Sequence, residues 1–567
     1  IIAAHIPIFT LQRHEGRIFA PMAYSVTAAL ITALILSLTL VPVLCHLLLG
    51  KKIPHEDNRL VSWLKNRYEP LVAWSITHAR KVIGIAVVAL VASLALVPRL
   101  GSEFLPELNE GSIWIAVTLP ASISLDESIA TAREIRARLR EIPEIKTVIS
   151  KLGRPEDGTD PKSINMTEYL VEMVPENEWR KGETKASLMR EMERKVEFLP
   201  GLDASFSQPI RDNVLESIAQ IKGQIVIKLF GDDLTVLRDE TRKLLHAVED
   251  VPGVALAFID REGELPQVQV EIQRSEAARY GLNVADIQDV IEMALGGKAA
   301  TELWEGERRF DVAVRLDSGS RTLAGIPSIL LSTPAGAFVP LSEVATFRTV
   351  GGSMNISRDD GKRVRAVGVF IRDRDMGSVV ADMQRKVRDE VKLPPGYQLA
   401  WSGEFESQQR AMKRLAVIVP VSILLIFVLL FNAFGSIKSA VVITLNIPLA
   451  LIGGILALFV TGIPLSVSAA VGFIALFGQA VLNGVVMVTY FNERVREGLD
   501  VVSAVKEGAL VRMRTVLMTS LLAMLGLLPM ATSTAIGSET QRPLAVVVIG
   551  GLISALVLTL LVLPAIY

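Results

Sequence analysis

The segment RLAVIVPVSILLIFVLLF, residues 414–431, decides the fold, because it opens a series of apolar runs that fills residues 411–567. Each run approaches or exceeds the ~20 apolar residues that cross a hydrocarbon core of ~30 Å. Backbone amides in lipid must bond within their own segment, so we expect each run to be a membrane-spanning helix. The predicted spans are Arg414–Phe431, Ala440–Val460, Leu465–Phe491, Val516–Ala531 and Leu544–Tyr567.

These spans carry almost no ionisable side chains. Between Ala416 and Tyr490 there is no Asp, Glu or Arg, and the single lysine, Lys438, falls in a break between two runs. Charges inside a membrane mark proton and substrate paths, so a bundle that moves ions is expected to contain them. Their absence needs an explanation from the rest of the chain.

Composition separates two kinds of sequence within the 567 residues. Hydrophobic residues make up 50% of the chain and the mean hydropathy is +0.41. Charged residues make up 21%, which is more than membrane helices alone would contain. We therefore expect residues 100–410 to form a soluble domain. The net charge of -1 gives no reason to expect a nucleic-acid partner, and the single cysteine, Cys45, excludes an internal disulfide. The chain begins at Ile1, not Met, and we expect it to be cut at both ends.

The first hundred residues predict membrane helices on either side of a basic loop. A short polar loop over Leu11–Met22 precedes a full span over Ala23–Leu49, which Pro42 is expected to kink. Residues 50–81 are rich in Lys and Arg, so we place them in the cytoplasm. Apolar residues at helical spacing within this loop predict a helix on the membrane surface; they are Leu60, Leu64, Tyr68, Leu71 and Trp74.

The topology follows from two basic loops. A span over Val82–Val97 leads outside, and the chain returns with Arg414–Phe431. The loop Asn492–Arg514 then lies inside, and its arginines and lysine agree with that orientation. Residues 99–410 are therefore expected outside the membrane.

This exterior region repeats a unit of strand, helix and strand. The units begin at the predicted strands Ser112–Thr118, Met166–Met173, Gln224–Phe230 and Arg363–Ile371. Four such units pair into two split βαβ, ferredoxin-like subdomains, with an insertion over Glu271–Thr349. The predicted fold is thus a polytopic α-helical membrane protein with an α+β exterior domain.

Several motifs resemble those of a known family. Ser102–Gly111 (SEFLPELNEG) looks like the entry to the second periplasmic loop of resistance-nodulation-division (RND) efflux pumps. Three further motifs are similar to the heavy-metal subfamily, namely Ala277–Leu282 (AARYGL), Gly472–Gly478 (GFIALFG) and Glu539–Leu544 (ETQRPL). The resemblance runs along the whole chain.

The resemblance implies the C-terminal half of a pump that is built from two repeats of six spans. Along the chain, the implied parts are the end of span five with span six (1–49), a cytoplasmic loop with an interfacial helix (50–81), span seven (82–98), the first porter subdomain (99–208), the second porter subdomain (209–270 and 350–410) around a docking insertion (271–349), and spans eight to twelve (411–567).

The resemblance also implies an activity and an assembly. Heavy-metal RND pumps are secondary transporters, not enzymes, and export cations in exchange for protons. Their proton-carrying Asp and Glu lie on span four, which would explain the uncharged spans. The family works in the bacterial inner membrane as a homotrimer with a periplasmic adaptor protein and an outer-membrane channel. The transported metal ion is the only ligand implied, with no cofactor.

In relatives, span ten offers polar groups to the acids of span four. The matching residues here are Gln479 and Asn483, with Thr519 on a neighbouring span and Arg512 at the membrane edge. Multidrug relatives have a lysine at Leu482, so a lysine-centred relay does not carry over. The alternative is that these side chains only join helices, at ~1 kcal/mol or less, and that Arg512 serves orientation.

The metal prediction also rests on the resemblance. Copper and silver members carry three methionines in the porter cleft, because soft thioethers select monovalent ions. Alignment by Thr159–Asp160 and neighbouring motifs places Ala116, Met166 and Glu216 at those positions. Glu168 points to the same strand face as Met166, so oxygen ligands would suit a divalent ion such as zinc, cobalt, cadmium or nickel. The alternative is that both glutamates are solvated surface charges.

Two other functions stay open. A multidrug RND exporter would have an aromatic-lined cleft, whereas only 6% of this chain is aromatic. A membrane-tethered binding or assembly protein that transports nothing is supported only by the uncharged spans. The six histidines show no zinc-site spacing, and the chain has no glycine-rich phosphate loop, so ATP-driven transport has no support.

Overall fold

The computed structural model describes residues 2–48, 58–106, 108–155, 162–198, 200–260, 262–353 and 355–567. The first part of the predicted basic loop and the aligning motif Thr159–Asp160 lie outside these residues. Within the described ranges, seven helices are long and apolar enough to cross a membrane. This agrees with the seven complete spans that the sequence predicts.

The chain begins with α1 (Ile6–Phe9), α2 (Arg13–Leu38), α3 (Leu40–Leu48), α4 (Arg59–Thr77) and α5 (Ala79–Leu96). The predicted polar loop over Leu11–Met22 is wrong, because α2 already begins at Arg13. Charged residues such as Arg and Glu are good helix formers, so polarity alone does not end a helix. The predicted kink is confirmed as an interruption at Thr39, since Pro42 has no amide hydrogen to donate to the Leu38 carbonyl.

Helix α4 forms where the apolar spacing predicts it, and one of its faces packs against the membrane helices. Tyr68 and Val72 are buried, and the Tyr68 hydroxyl donates to the carbonyl of Leu560 at 2.7 Å. Leu71 and Trp74 are exposed on the other side. The helix is therefore attached to the bundle and also presents apolar side chains outward.

The first subdomain consists of β1 (Ser112–Thr118), α6 (Leu125–Leu139), β2 (Ile145–Leu152), β3 (Met166–Met173), α7 (Lys185–Val196) and β4 (Asp203–Ser207). Its sheet order is β2-β3-β1-β4 and every pair is antiparallel, which is the split βαβ arrangement. Ile113, Ile115 and Val117 of β1 are buried in a core with residues of α6 and α7. Because strand residues alternate, the opposite face of the sheet is left for polar side chains.

The chain then forms α8 (Pro209–Ala219), β5 (Ile225–Phe230), α9 (Leu234–Glu249) and β6 (Val254–Ile259) before an insertion. The insertion contains β7 (Glu264–Ile272), α10 (Arg274–Arg279), α11 (Val284–Ile291), β8 (Lys298–Glu305), β9 (Arg308–Val314), β10 (Leu330–Ser332), β11 (Phe338–Pro340) and β12 (Ala345–Ser353). Strands β7 and β12 pair along their whole length, from Glu264 with Ser353 to Ile272 with Ala345. The insertion therefore extends a few residues beyond the predicted 271–349 at both ends.

The second subdomain is completed by β13 (Ser357–Asp359), β14 (Lys362–Ile371), α12 (Met376–Glu390) and β15 (Gln398–Gly403). Its sheet places β14 between β6 and β5, with β15 outside β5 and β13 also paired to β14. This is the order of the first subdomain, so the predicted pair of ferredoxin-like subdomains is confirmed.

The last part is helical: α13 (Glu404–Phe434), α14 (Ile437–Thr444), α15 (Asn446–Thr461), α16 (Val467–Arg496), α17 (Val501–Thr532) and α18 (Arg542–Ile566). Helix α13 continues directly from β15 through Gly403, whose φ is +86°. A Cβ at Gly403 would lie 2.7 Å from the carbonyl oxygen of Gln224, so glycine is needed at this junction.

Two predictions about the membrane segments are wrong in detail. The loop Asn492–Arg514 is mostly helical, because α17 begins at Val501, where the Asp500 side chain accepts from the amide of Ser503. The span Ala440–Val460 is divided at Leu445, since Pro448 cannot donate to the carbonyl one turn earlier. Apolar length thus predicts where a span lies better than where its helix ends.

Candidate functional site

A cavity of about 410 Å³ lies between the two subdomains, and we call it the cleft. One wall is the polar face of the first sheet, formed by β1, β3 and β4. The other wall is formed by the end of α8, the connection from α8 to β5, and strand β6. Met166, Glu168 and Glu216 all line this cavity, so the three predicted metal-site residues lie in one place.

The strand register explains how the sheet places its share of these residues. One row across the sheet consists of Lys151, Glu168, Ala116 and Ser205. The next row consists of Met166, Thr118 and Asp203. Because Met166 and Glu168 are two residues apart on β3, both side chains project from the polar face. Ala116, opposite Glu168 on β1, is a small residue, which leaves space for the cavity.

Helix α8 brings the second group of carboxylates. Its N-terminus is capped by Glu110, whose carboxylate accepts from the amides of Ile210 and Arg211 at 2.7 and 3.0 Å. Glu110 belongs to the motif Ser102–Gly111, so this motif positions the helix. Asp212 and Glu216 are one turn apart and therefore share a face of α8.

Glu168 is buried and surrounded by ammonium groups. Its Oε1 lies 2.5 Å from Lys162 Nζ and 2.6 Å from Lys222 Nζ, and its Oε2 lies 3.0 Å from Lys151 Nζ. Burial by itself would raise the pKa of Glu168, but Lys222 and Lys162 lower the pKa to about 2. Glu168 is therefore an anion at neutral pH.

The pKa values of three neighbouring carboxylates, Asp203, Asp212 and Glu216, shift in the opposite direction. Burial raises the pKa of Asp212 and of Glu216 above their ordinary values, and the nearby Lys222 opposes this only in part. Burial also raises the pKa of Asp203. Asp212 Oδ1 is buried and makes no hydrogen bond, while Oδ2 lies 2.8 Å from Lys222 Nζ. A cation close to these carboxyl groups would favour their ionised form.

The cleft is not a preformed metal centre. Among the described residues, no group of three His, Cys, Asp or Glu side chains is arranged to hold a metal ion. The oxygen atoms of Glu168 face lysines, and Met166 supplies one thioether. Binding of a metal would therefore require the lysine ammonium groups to move away from the carboxylates.

Sequence reasoning missed the lysines and Asp212. The spacing of Asp212 and Glu216 on one helix was a signal that could have identified Asp212. Lys162 and Lys222 had no comparable signal, because Lys222 is 54 residues from Glu168 and Lys162 lies in the irregular stretch before β3, where neither helical nor strand spacing applies.

A second polar cluster lies between α16 and α17. Asn483 is buried, its Nδ2 donates to Ser520 Oγ at 3.1 Å, and its Oδ1 accepts from Thr519 Oγ1 at 3.3 Å. Gln479 is half-buried one turn before Asn483 on α16. Arg512 is separate from this cluster, since its guanidinium lies over the ring of Tyr490 at 4.7 Å. The structure thus brings Asn483 and Thr519 together, adds Ser520, and leaves Arg512 apart.

These features define a polytopic membrane protein whose two ferredoxin-like subdomains enclose a charged cleft. The chain belongs to the AcrB/AcrD/AcrF family, whose model matches residues 1–567. The predicted membership in the heavy-metal branch of the RND permeases is confirmed by the relatives that the chain matches.

The chain is 42% identical over 575 residues to the cation efflux system protein CzcA of Alcaligenes sp. (strain CT14), covering 100% of this chain and 54% of that protein. It is 36% identical to the nickel and cobalt resistance protein CnrA of Cupriavidus metallidurans, covering 100% of this chain and 53% of CnrA. The cation efflux system protein CusA of Escherichia coli (strain K12) is 33% identical, with 100% and 55% covered. The chain spans about half the length of these curated relatives.

A solved structure shows the same fold. The X-ray crystal structure of a heavy metal efflux pump, crystal form II, matches with a TM-score of 0.88 and 39% sequence identity. The match covers 100% of this chain and 57% of that chain.

Proposed function

We propose that this chain forms part of a bacterial inner-membrane permease that exports divalent heavy-metal cations in exchange for protons. The observation that carries the proposal is the cleft, in which Met166, Glu168 and Glu216 line one cavity. Support comes from relatives whose names specify cation efflux and resistance to cobalt, zinc, cadmium and nickel.

The donor set favours a divalent ion over copper(I) or silver(I). Carboxylate oxygens suit harder divalent cations, and one thioether is too few for selection of a soft monovalent ion. A multidrug exporter is less well supported, because among the described lining residues the only aromatic side chain is Phe258.

The test of this function is metal tolerance of cells that produce the complete protein. Glu168→Ala and Glu216→Ala are expected to reduce tolerance to zinc, cobalt, cadmium or nickel, since each removes an oxygen donor from the cleft. The matched control is Glu172→Ala, because Glu172 lies on the same strand but is exposed and paired with Lys146. Tolerance that is unchanged for every divalent metal, at equal protein levels, would exclude these residues as ligands.

We further propose that Asn483 and Thr519, with Gln479 nearby, serve as neutral partners for proton-carrying groups on another part of the protein. The hydrogen bonds around Asn483 are compatible with this role and equally with helix packing. Arg512 stays a weaker candidate, because it stacks on Tyr490 away from the cluster.

A matched pair of variants separates these two roles. Asn446 is also a buried asparagine, and its Oδ1 accepts from Thr559 at 3.1 Å between two other helices. Asn483→Ala is expected to slow proton-coupled efflux more than Asn446→Ala at equal protein levels and thermal stability. Equal loss for both variants would leave only a packing role.

We also propose the assembly that the family uses. The chain would work as a homotrimer with a periplasmic adaptor protein and an outer-membrane channel, with the insertion Glu264–Ser353 pointing away from the membrane. The exposed hairpin of β8 and β9 supports this proposal, because Trp304 and Phe310 are exposed there and such surfaces favour protein contacts. Native mass spectrometry of the complete protein in detergent tests the trimer, and a purely monomeric species would contradict it.

A further inference from the structure

The ammonium group of Lys222 lies among three carboxylates of the cleft. Its Nζ is 2.6 Å from Glu168 Oε1, 2.8 Å from Asp212 Oδ2 and 3.9 Å from Glu216 Oε1. The Lys222 side chain is only 12% exposed. A small cation held by carboxylates from two walls of the cleft therefore already exists in the structure, and it is part of the chain.

The position of the Lys222 backbone determines which carboxylates its ammonium group can contact. Lys222 lies in the short connection between α8 and β5, next to Gly223, whose φ is +152°. A Cβ on Gly368 of β14 would lie 2.5 Å from the Lys222 carbonyl oxygen, and one on Gly223 would lie 3.1 Å from the Gly368 Cα. The two glycines thus let the connection lie directly against β14. Lys222 is anchored on the second subdomain, whereas Glu168 belongs to β3 of the first.

The side chains in direct contact with Lys222 and Glu168 balance in formal charge. Lys151, Lys162 and Lys222 each lie within 3.0 Å of a carboxylate oxygen of Glu168, and the acids in contact are Glu168, Asp212 and Glu216. Three positive groups therefore face three acids. A divalent cation keeps the cluster neutral only if it replaces two ammonium groups, and Lys162 and Lys222 share the same oxygen of Glu168. Leaving both in place beside a metal would bring like charges together in a poorly solvated site.

We propose that Lys222 is a built-in substitute for the transported cation. When no metal is bound, its ammonium pairs with the carboxylates of the cleft and so connects the two subdomains. An entering divalent cation displaces this ammonium. This inference rests on the proposed function and deepens it, because it assigns to Lys222 a role in both cation affinity and opening of the cleft. Lys222 is a positioning residue in this scheme and does not bind the metal.

The first test is metal binding by the full chain in detergent, with Zn²⁺ and Co²⁺ added as simple salts to metal-free protein. Lys222→Met is expected to bind at least one of these ions about tenfold more tightly or better, since the metal then has one fewer ion-paired ammonium to displace. Lys222→Arg, which keeps the charge, is expected to show no such gain. Thermal unfolding establishes that each variant is folded.

The chain offers a matched control in Lys228. Its side chain is also 12% exposed, and its Nζ lies 2.8 Å from Asp359 Oδ2 within the second subdomain. Lys228→Met removes an equally buried, paired lysine away from the carboxylates of the cleft. Its metal affinity is expected to equal that of the parent. An equal gain in Lys228→Met, or unchanged or weaker binding in Lys222→Met, overturns the proposal.

The second test needs no substitution. Acetylation of surface lysines by a water-soluble anhydride, read out by peptide mass spectrometry, measures how accessible each amine is. Zn²⁺ or Co²⁺ is expected to increase labelling of Lys222 several-fold and to leave Lys228 unchanged. Metal that binds without increasing the labelling of Lys222 overturns the displacement, even if the Lys222→Met variant fails to fold.

The binding results distinguish failure of the proposed metal site from failure of the proposed role of Lys222. If the parent binds Zn²⁺ or Co²⁺ and Glu168→Gln abolishes binding, the proposed metal site stands whatever Lys222 does. If parent and all variants are folded and bind no divalent ion, the metal site fails and the role of Lys222 fails with it. Tighter binding in Lys222→Met alone, with metal-dependent labelling of Lys222, supports both.

Discussion

The substitution Glu168→Gln isolates the ionic part of the cleft, because it preserves the shape of the side chain and removes its charge. Glu168 is 4% exposed, and in the variant the ammonium groups of Lys162 and Lys222 would face a neutral amide at the same distances. Removing part of the counter-charge of buried cations is unfavourable, even though Lys222 keeps Asp212 Oδ2 at 2.8 Å. We therefore expect the first subdomain to lose stability at neutral pH.

The magnitude follows from the ionisation of Glu168. Its pKa falls from an ordinary value of 4.5 to about 2 in the folded protein, which corresponds to about 3 kcal/mol in favour of the folded, ionised state. Removing one partner of a buried ion pair typically costs about 3–5 kcal/mol, which is the same scale. The control Glu172→Gln affects a pair whose side chains are 49% and 61% exposed, and such surface pairs contribute about 0–1 kcal/mol.

The assay is hydrogen–deuterium exchange of the full chain in detergent, followed on the peptide that contains β3, Met166–Met173. A loss of about 3 kcal/mol predicts about 100-fold faster exchange of its protected amides in Glu168→Gln at about pH 7. In Glu172→Gln the change is expected to stay below about tenfold.

The pH dependence has a defined sign. Because the pKa of Glu168 is lowered on folding, its stabilisation is complete above the unfolded value of 4.5 and is lost as the pH falls towards about 2. The difference between parent and Glu168→Gln should thus shrink between about pH 5 and about pH 3, after correction for intrinsic exchange rates. A difference at about pH 3 that is as large as the one at about pH 7, or one that Glu172→Gln reproduces, would refute an electrostatic origin.

Two further variants test the membrane helices. A Cβ at Gly453 would lie 2.0 Å from the carbonyl oxygen of Gly550, so Gly453→Ala is expected to lower thermal stability in detergent by the ~1–3 kcal/mol typical of overpacking. Gly526→Ala, where a Cβ meets nothing within 4 Å, is the control and should be neutral or slightly stabilising. Tyr68→Phe removes the hydrogen bond to Leu560 and should increase protease cleavage near α4, at a cost of about 1 kcal/mol, whereas unchanged cleavage would show that packing alone holds this helix.

The extramembrane fold could be predicted closely because its signals are local. The predicted strands Ser112–Thr118 and Met166–Met173 agree with the observed β1 and β3 at both ends. Alternating apolar residues and polar helix caps determine such units within a few positions. Their pairing into split βαβ subdomains follows from the repeat, since each pair has only a few favourable topologies.

Helix ends beside the membrane were harder to predict. The starts of α2 at Arg13 and of α17 at Val501 lie inside segments that were expected to be loops. Hydropathy reports which residues lie in lipid, whereas helix formation depends on propensity and capping. A helix can continue through charged residues such as Arg512, outside its apolar segment. The hydropathy pattern therefore does not show where such a helix begins.

The sequence predicted some residues of the cleft but not the ion pairs that they form. Met166, Glu168 and Glu216 came from a resemblance that aligns positions, and an alignment does not show which side chains neutralise one another. The burial of Glu168 and its contacts with Lys162 and Lys222 arise from tertiary packing of separate elements. Glu168, which from the sequence alone could be a solvated surface charge, is thus buried and ion-paired with lysines in the fold.

Under the proposals above, the two polar clusters of this chain would respond to different ligands, the one around Asn483 to protons and the one around Lys222 to metal cations. The groups around Asn483 are neutral hydrogen-bonding partners in a bundle packed closely at Gly453 and Gly550, so in the proposed role they would respond to a proton or a charged group brought by a neighbour. The groups around Lys222 form a balanced set of charges, so a divalent cation cannot enter without expelling an ammonium. Because Lys222 is anchored on one subdomain and Glu168 on the other, that exchange breaks a contact between two bodies. If the proposal holds, cation entry and separation of the subdomains would be the same event.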